Sequence, residues 1–266
     1  INVMMCPCFT RHVTFYEDPR YILFIHMVIN DGLMLTTTVL LFVLSYTVYR
    51  LNVSFCSLLI LMAVFTTRNT PINLAGMAIE RYIAVCKPLR YSQICTVRRT
   101  YTVIGGIWFV TVTPAIVDLF ELLATEPLSF FYESLVCNSM NLFKKPIMQQ
   151  KKLTFDVIYF SLVFLVLVFT YLKVLFAAKA VSTDVSAQKA RNTILLHGLQ
   201  LAMCMLSYVF PSIPFIHLHA RFFTYLIVYI LPRFLSPIIY GIRDQKFRKY
   251  LKMYLLIGRC RKKVQP

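Results

Sequence analysis

Apolar residues run in long blocks, separated by short segments that carry most of the charge. Between Arg20 and Arg50 the only formal charge is Asp31, and between Arg191 and Arg221 there is none. Similar blocks run from Leu51 to Tyr82, Thr100 to Leu123, Leu153 to Ala178 and Phe222 to Ile242. A helix needs roughly 20 apolar residues to cross a hydrocarbon core ~30 Å thick at about 1.5 Å per residue. All six blocks meet that length, so spans are predicted at about 21–49, 51–82, 100–123, 153–178, 192–214 and 222–242. Continuous apolarity selects helices, because barrel strands would alternate over about ten residues. The predicted fold class is all-α, a polytopic membrane helix bundle. A soluble bundle would need a polar stripe on most of its helices, and the charge-free run has none.

Composition points the same way. The chain is 58% hydrophobic and 15% charged, against about 25% charged in ordinary soluble domains. Basic residues set the topology, because they are retained on the cytoplasmic side during insertion. Alternating the loops places Arg11 and Arg20, the Arg81–Arg99 segment, the Lys173–Arg191 segment and the basic tail after Ile242 on one face. The other face carries only Arg50, the Lys144–Lys152 loop and Arg221. The tail and the Arg81 loop are therefore expected in the cytoplasm, at a plasma membrane. The net charge of +17 reads as this asymmetry plus attraction to anionic inner-leaflet lipid. A nucleic-acid footprint would gather the charge on one folded face. Domain organisation follows: 1–20 precedes the bundle, 21–242 forms it, and 243–266 is an amphipathic helix and basic tail.

The cysteines divide by compartment. Cys56, at the outer end of the second span, and Cys137, in the long outer loop, are the two placed on the oxidising side. A disulfide between them would pin that loop over the mouth of the bundle, the alternative being two unpaired buried thiols. Cys86, Cys95 and Cys260 fall on the reducing side, and Cys260 lies among Arg259, Arg261 and Lys262 as a candidate for palmitoylation. Asn52-Val53-Ser54 is a formal glycosylation sequon, placed close to the membrane.

Met77 to Tyr91 reads MAIERYIAVCKPLRY. This resembles the cytoplasmic end of the third helix in rhodopsin-like G-protein-coupled receptors, whose acid-Arg-Tyr triplet corresponds to Glu80-Arg81-Tyr82. Ala84, Cys86, Pro88, Leu89 and Tyr91 resemble the olfactory branch. Asp31 matches the family's acid in the second helix, Cys56 and Cys137 its outer disulfide, Trp108 its fourth-helix tryptophan and Tyr171 its fifth-helix tyrosine. Ser236-Pro237-Ile238-Ile239-Tyr240 resembles the Asn-Pro-x-x-Tyr motif of the last helix, with serine for asparagine. Phe247, Leu251 and Leu255 recur at four-residue spacing among basic residues, as an interfacial helix requires. Two features depart from the pattern. Six spans stand where the family has seven, so Ile1-Asn2-Val3 is read as the end of a first helix that the sequence otherwise lacks. The sixth helix lacks the usual Trp-Pro pair and carries Tyr208, Pro211 and Pro214. With His26, Met27, Asn30 and Asp31, this is most like divergent, fish-type odorant receptors.

The resemblance implies an odorant receptor that binds a small ligand in the outer half of the bundle and activates a heterotrimeric G protein of olfactory or stimulatory type. Arg81, held by Glu80 at rest, would swing to meet the G-protein α subunit while Tyr171 and Tyr240 fill the space. Phe65, Phe160, Phe164, Tyr208 and Tyr225 are candidate pocket linings. Asp31, Arg68 and Arg233 stand out among the charges inside spans. Each costs roughly 2.5–3.5 kcal/mol at mid-helix unless partnered. Asp31 and Arg233 are expected to pair; Asp118 is a possible partner for Arg68, which is weighed equally as a structural cation and as a ligand contact.

No glycine-rich phosphate loop, HExxH or nucleophile elbow is present, so no enzyme, cofactor or catalytic residue is expected. His217-Leu218-His219 is read as an ordinary loop pair rather than a metal site. A transporter or channel using the intramembrane charges is the competing class, beside a truncated receptor that does not signal.

Overall fold

The computed structural model describes residues 17–48, 50–137, 142, 146–180 and 230–231. Helix α1 spans Pro19–Thr47. A two-residue strand β1, Leu51–Asn52, leads into α2, Val53–Cys86. A 3₁₀ turn at Pro88–Arg90 and the short α3, Tyr91–Ile94, precede α4, Val97–Thr125. The segment after α4 makes a 3₁₀ turn at Leu128–Tyr132 and strand β2, Ser134–Leu135, before α5, Pro146–Ala180. α1, α2, α4 and α5 are each long and apolar enough to cross a membrane, in keeping with an all-α membrane bundle.

The helices start where the sequence supplies caps. Asp18 accepts from the Arg20 backbone N–H at 3.1 Å, with Pro19 at the first helical position, where its missing N–H costs nothing. Asn52 accepts from the Ser54 N–H at 2.9 Å, and Thr96 from the Arg99 N–H at 3.4 Å. α4 and α5 run past both ends of the apolar blocks read from sequence, α1 begins before its block and α2 ends after its own, because an α-helix continues through the polar interface until a cap ends it.

α2 is the axis of the bundle, packing against α1, α4 and α5. Half of its most apolar window is buried, against 17% for the windows of α4 and α5. The outward faces of those two helices carry bare apolar residues such as Phe109, Phe120 and Leu165, as lipid contact requires. Lipid tails are as apolar as leucine, so burial alone does not drive helices together in a membrane; packing and interhelical hydrogen bonds do. Three buried clusters supply the packing. Phe24, Met27 and Val28 of α1 meet Leu74 and Met77 of α2; Val53, Cys56 and Ile60 of α2 meet Ala115 and Leu122 of α4 with Phe130 and Phe131; Ala75 meets Tyr159, Val163 and Leu167 of α5.

The one exception to helix among the described residues is the antiparallel ladder that pairs Leu51 with Leu135 and Asn52 with Ser134. Two residues per strand leave no period-2 pattern to read. The ladder lies beside a Cys56–Cys137 disulfide, with Cα atoms 5.7 Å apart, and the Ser54 hydroxyl donates to the Phe131 carbonyl at 2.9 Å. The loop after α4 is thus fastened over the start of α2, as expected from the compartment of the two cysteines. Cys86 and Cys95 are free thiols; Cys260 lies outside the described residues.

Candidate functional site

Three polar clusters lie along α2, and each is assembled by a different neighbour. The first, at the end away from the disulfide, centres on Glu80, whose side chain is 6% exposed. Its Oε2 lies 3.8 Å from Arg81 Nε and its Oε1 lies 3.8 Å from Arg20 Nε on α1. The Tyr91 hydroxyl of α3 donates to Oε1 at 2.8 Å, and the Arg20 guanidinium lies over the Tyr91 ring at 5.7 Å. Burial first, then the facing Glu80 carboxylate, holds the Tyr91 hydroxyl above the ordinary tyrosine range, so it stays a donor. Burial and Glu80 also push the nearby Cys95 thiol up, keeping it protonated. One carboxylate is shared by two cations and a phenol, and Arg81 is held by a long contact, partly open to the outside. Tyr82 packs near Phe169 of α5, ring centroids 6.3 Å apart. Tyr171, also on α5, is 36% exposed.

The second cluster joins α1, α2 and α4 through uncharged side chains that lead to Asp31. Trp108 Nε1 donates to His26 Nε2 at 2.7 Å. That bond makes Nε2 the acceptor, so Nδ1 carries the proton and donates to Asn73 Oδ1 at 2.8 Å. Asn73 Nδ2 in turn donates to Asn69 Oδ1. Asn30 Nδ2 donates to the Thr66 carbonyl at 2.9 Å and to Thr70 Oγ1 at 3.1 Å, and Thr70 donates to Asp31 Oδ1 at 3.0 Å. Asp31 is 1% exposed. Its expected partner Arg233 lies outside the described residues, as do Tyr208, Tyr225, Pro237 and Tyr240 and the His217–His219 pair.

The third cluster ties α2 to α5. Arg68 Nη2 lies 2.8 Å and its Nε 3.0 Å from the same oxygen, Oδ1, of Asp156. Asp118 is the possible partner expected from the sequence. Asp118 lies within electrostatic reach, but the ion pair is made with Asp156. Both acids sit inside apolar spans, and only the rotation of α5 about its axis brings Asp156 to α2. Phe155 lies under the guanidinium at 5.1 Å, and the Tyr159 hydroxyl donates to the Arg68 backbone carbonyl. Of the candidate linings, Phe65 packs against Trp108 with centroids 5.6 Å apart, and Phe160 meets Tyr159 edge-on at 4.8 Å. Phe164 is 51% exposed, on the outward side of α5.

Four membrane-length helices joined by buried polar contacts define a polytopic membrane protein. Residues 1–241 match the family model of the 7 transmembrane receptor (rhodopsin family). The chain belongs to that family and is a non-enzymatic G-protein-coupled receptor. It is similar to Odorant receptor 131-2 of Danio rerio, at 30% identity over 97% of this chain and 82% of that one. It is also similar to two human proteins. Olfactory receptor 10P1 is 25% identical over 67% of this chain and 60% of its own length. Olfactory receptor 2M5 is 22% identical over 92% and 82% respectively.

Proposed function

We propose that the chain is an odorant receptor of the plasma membrane, with the disulfide end of the bundle outside and the Glu80 end and C-terminus in the cytoplasm. In this reading a small odorant binds in the outer half, and the inner end activates a heterotrimeric G protein of olfactory or stimulatory type. The relatives' names and the MAIERYIAVCKPLRY segment support the assignment. α1, α2, α4 and α5 then correspond to the family's second to fifth spans.

The observation that carries it is the shared Glu80 carboxylate. A switch residue must be held, yet releasable by a ligand's modest preference for one state. Contacts to partly exposed cations at 3.8 Å are worth about 1 kcal/mol each at most. Losing one shifts a two-state balance by roughly fivefold and losing both by roughly thirtyfold, within the reach of a small ligand. Arg81, once released, presents five N–H donors to a partner, with Tyr171 and Tyr240 closing the space it leaves.

The test is a cyclic AMP reporter in cells carrying the epitope-labelled receptor, exposed to an odorant panel. A response is expected, and Arg81→Ala should abolish it at unchanged surface level. A response of full size in Arg81→Ala would refute the coupling role.

A further inference from the structure

The Arg68 cluster lies apart from the proposed switch at the Glu80 end, and Nη1 of its guanidinium has no hydrogen-bond partner among the described residues. Arg68 lies roughly 18 Å along α2 from Cys56, with its side chain 4% exposed. A guanidinium has two edges suited to a carboxylate: the side formed by Nε and one Nη, and the end formed by both Nη atoms. Asp156 takes the first, and takes it with a single oxygen, since both Nε and Nη2 point to Oδ1. Nη1 is buried without a hydrogen-bond partner among the described residues. The planarity of the group turns the second N–H of Nη2 the same way. The end-on fork of Arg68, formed by Nη1 and the second N–H of Nη2, thus has no hydrogen-bond partner at Nη1 among the described residues.

An unmet charged donor at this depth is costly. Its surroundings hold it in place all the same. Phe155 lies against the guanidinium, and Phe155 stacks on Tyr159 at 6.1 Å. Tyr159 is itself bound to the Arg68 backbone. The fork is thus fixed in direction before any ligand arrives, as a binding group should be. Two cations, Arg68 and Lys152, face two anions, Asp156 and Asp118, within electrostatic reach. With those charges balanced, the shape of the free edge decides the ligand. Two parallel N–H groups on a charged plane fit a planar oxyanion far better than a hydroxyl or an amine. The side chain of Asp156 is 26% exposed, so the pair is reachable.

We propose that Arg68 holds the carboxylate of a small organic acid end-on through Nη1 and Nη2, while Asp156 keeps the Nε edge and competes for the same charge. This names the chemical class of ligand for the outer-half pocket and rests on the reading that such a pocket is used. A purely structural ion pair makes the opposite forecast for Asp156, since neutralising it would only weaken the fold.

The test reads binding apart from signalling. Receptor purified in carboxylate-free buffer is melted with sodium octanoate, L-leucine, octan-1-ol or octylamine, and the same compounds are applied to cells carrying a cyclic AMP reporter. At least one of the two carboxylates should raise the melting temperature, and the alcohol and amine should not. Arg68→Gln should remove the shift. Asp156→Asn should lower the half-maximal carboxylate concentration by about tenfold, as expected if the lost competition is worth ~1.4 kcal/mol. The double variant Arg68→Gln/Asp156→Asn, which sets two amides face to face, should reach the cell surface yet ignore carboxylates. A carboxylate shift that survives Arg68→Gln, or a shift by octan-1-ol or octylamine with none by either acid, overturns the proposal. Activation by neutral odorants that is indifferent to Arg68→Gln would leave the odorant reading standing and this one refuted. An Arg68-dependent melting shift with no G-protein response would do the reverse.

Discussion

Arg68 and Glu80 lie on the same helix about three turns apart, and they hold their charges in opposite ways. Arg68 has one partner, Asp156, at 2.8 Å, with an aromatic ring against the guanidinium and almost no exposure. Glu80 has three partners, and only the Tyr91 hydroxyl approaches closely; the two cations stand off at 3.8 Å and are 41% and 25% exposed. A buried pair that loses one member leaves an uncompensated charge, at about 3–5 kcal/mol. A buried carboxylate shared between two partly exposed cations loses about 1 kcal/mol per contact, because solvent screens the exposed partners. The first arrangement fixes a geometry, and the second can be rearranged by a ligand or partner. The depth of a charge in the bundle thus goes with how it is held: tightly in the middle, loosely at the end.

The largest effect should come from breaking the fixed cluster. Asp156→Ala is expected to destabilise the receptor by about 3–5 kcal/mol and to bring surface labelling to background. Replacing both members, as in Arg68→Met/Asp156→Leu, should restore labelling, since an apolar pair of similar volume replaces a buried ion pair at little cost. A deficit in the double variant as deep as in Asp156→Ala would show that more than the stranded charge is at stake.

Between the two lies the neutral network on His26, and its removal should be intermediate. His26→Leu strands the Trp108 N–H and the Asn73 carbonyl oxygen, at about 2 kcal/mol. A melting temperature lowered by several degrees, with basal signalling unchanged, is the expected result. Raised basal signalling would move this network into the switch.

At the releasable end the order of effects reverses. Glu80→Gln should cost about 1 kcal/mol in stability while raising basal cyclic AMP about fivefold, because the hold on Arg81 and Arg20 weakens together. Tyr91→Phe should act in the same direction and less strongly, since it removes one hydrogen bond to the acid. The raised pKa of Tyr91 also fixes the pH behaviour. A group that holds its proton more tightly when folded contributes fully below its ordinary pKa, about 10 for tyrosine, and loses the contribution as pH rises beyond it. The difference between wild type and Tyr91→Phe should therefore be flat from about pH 6 to 9. A difference that shrinks within that range would mean that Tyr91 ionises there.

Much of this was legible in the residues. Blocks of apolarity marked the four long helices described, with the blocks at 192–214 and 222–242 lying outside the described residues but for 230–231. The two cysteines expected to pair do so, and the segment from Met77 to Tyr91 marked the Glu80 end. Those signals are local, read along one stretch of chain. What stayed hidden depends on how helices turn against each other. Asp118 and Asp156 look alike in sequence, both acids in apolar spans, and only the rotation of α5 selects Asp156. The bond from Trp108 to His26 joins α4 to α1 with no spacing rule to announce it. The pairing of Leu51 with Leu135 is a by-product of the loop being drawn to the start of α2, and two-residue strands carry no periodicity of their own.

The central claim is that the Glu80–Arg81 end is the coupling surface, and nucleotide exchange tests it most directly. Receptor in lipid nanodiscs is mixed with a purified stimulatory heterotrimer, and guanine-nucleotide exchange is followed for wild type, Glu80→Gln and Arg81→Ala. The account predicts faster basal exchange for Glu80→Gln and exchange no faster than the heterotrimer alone for Arg81→Ala. Wild-type exchange rates in Arg81→Ala would contradict it.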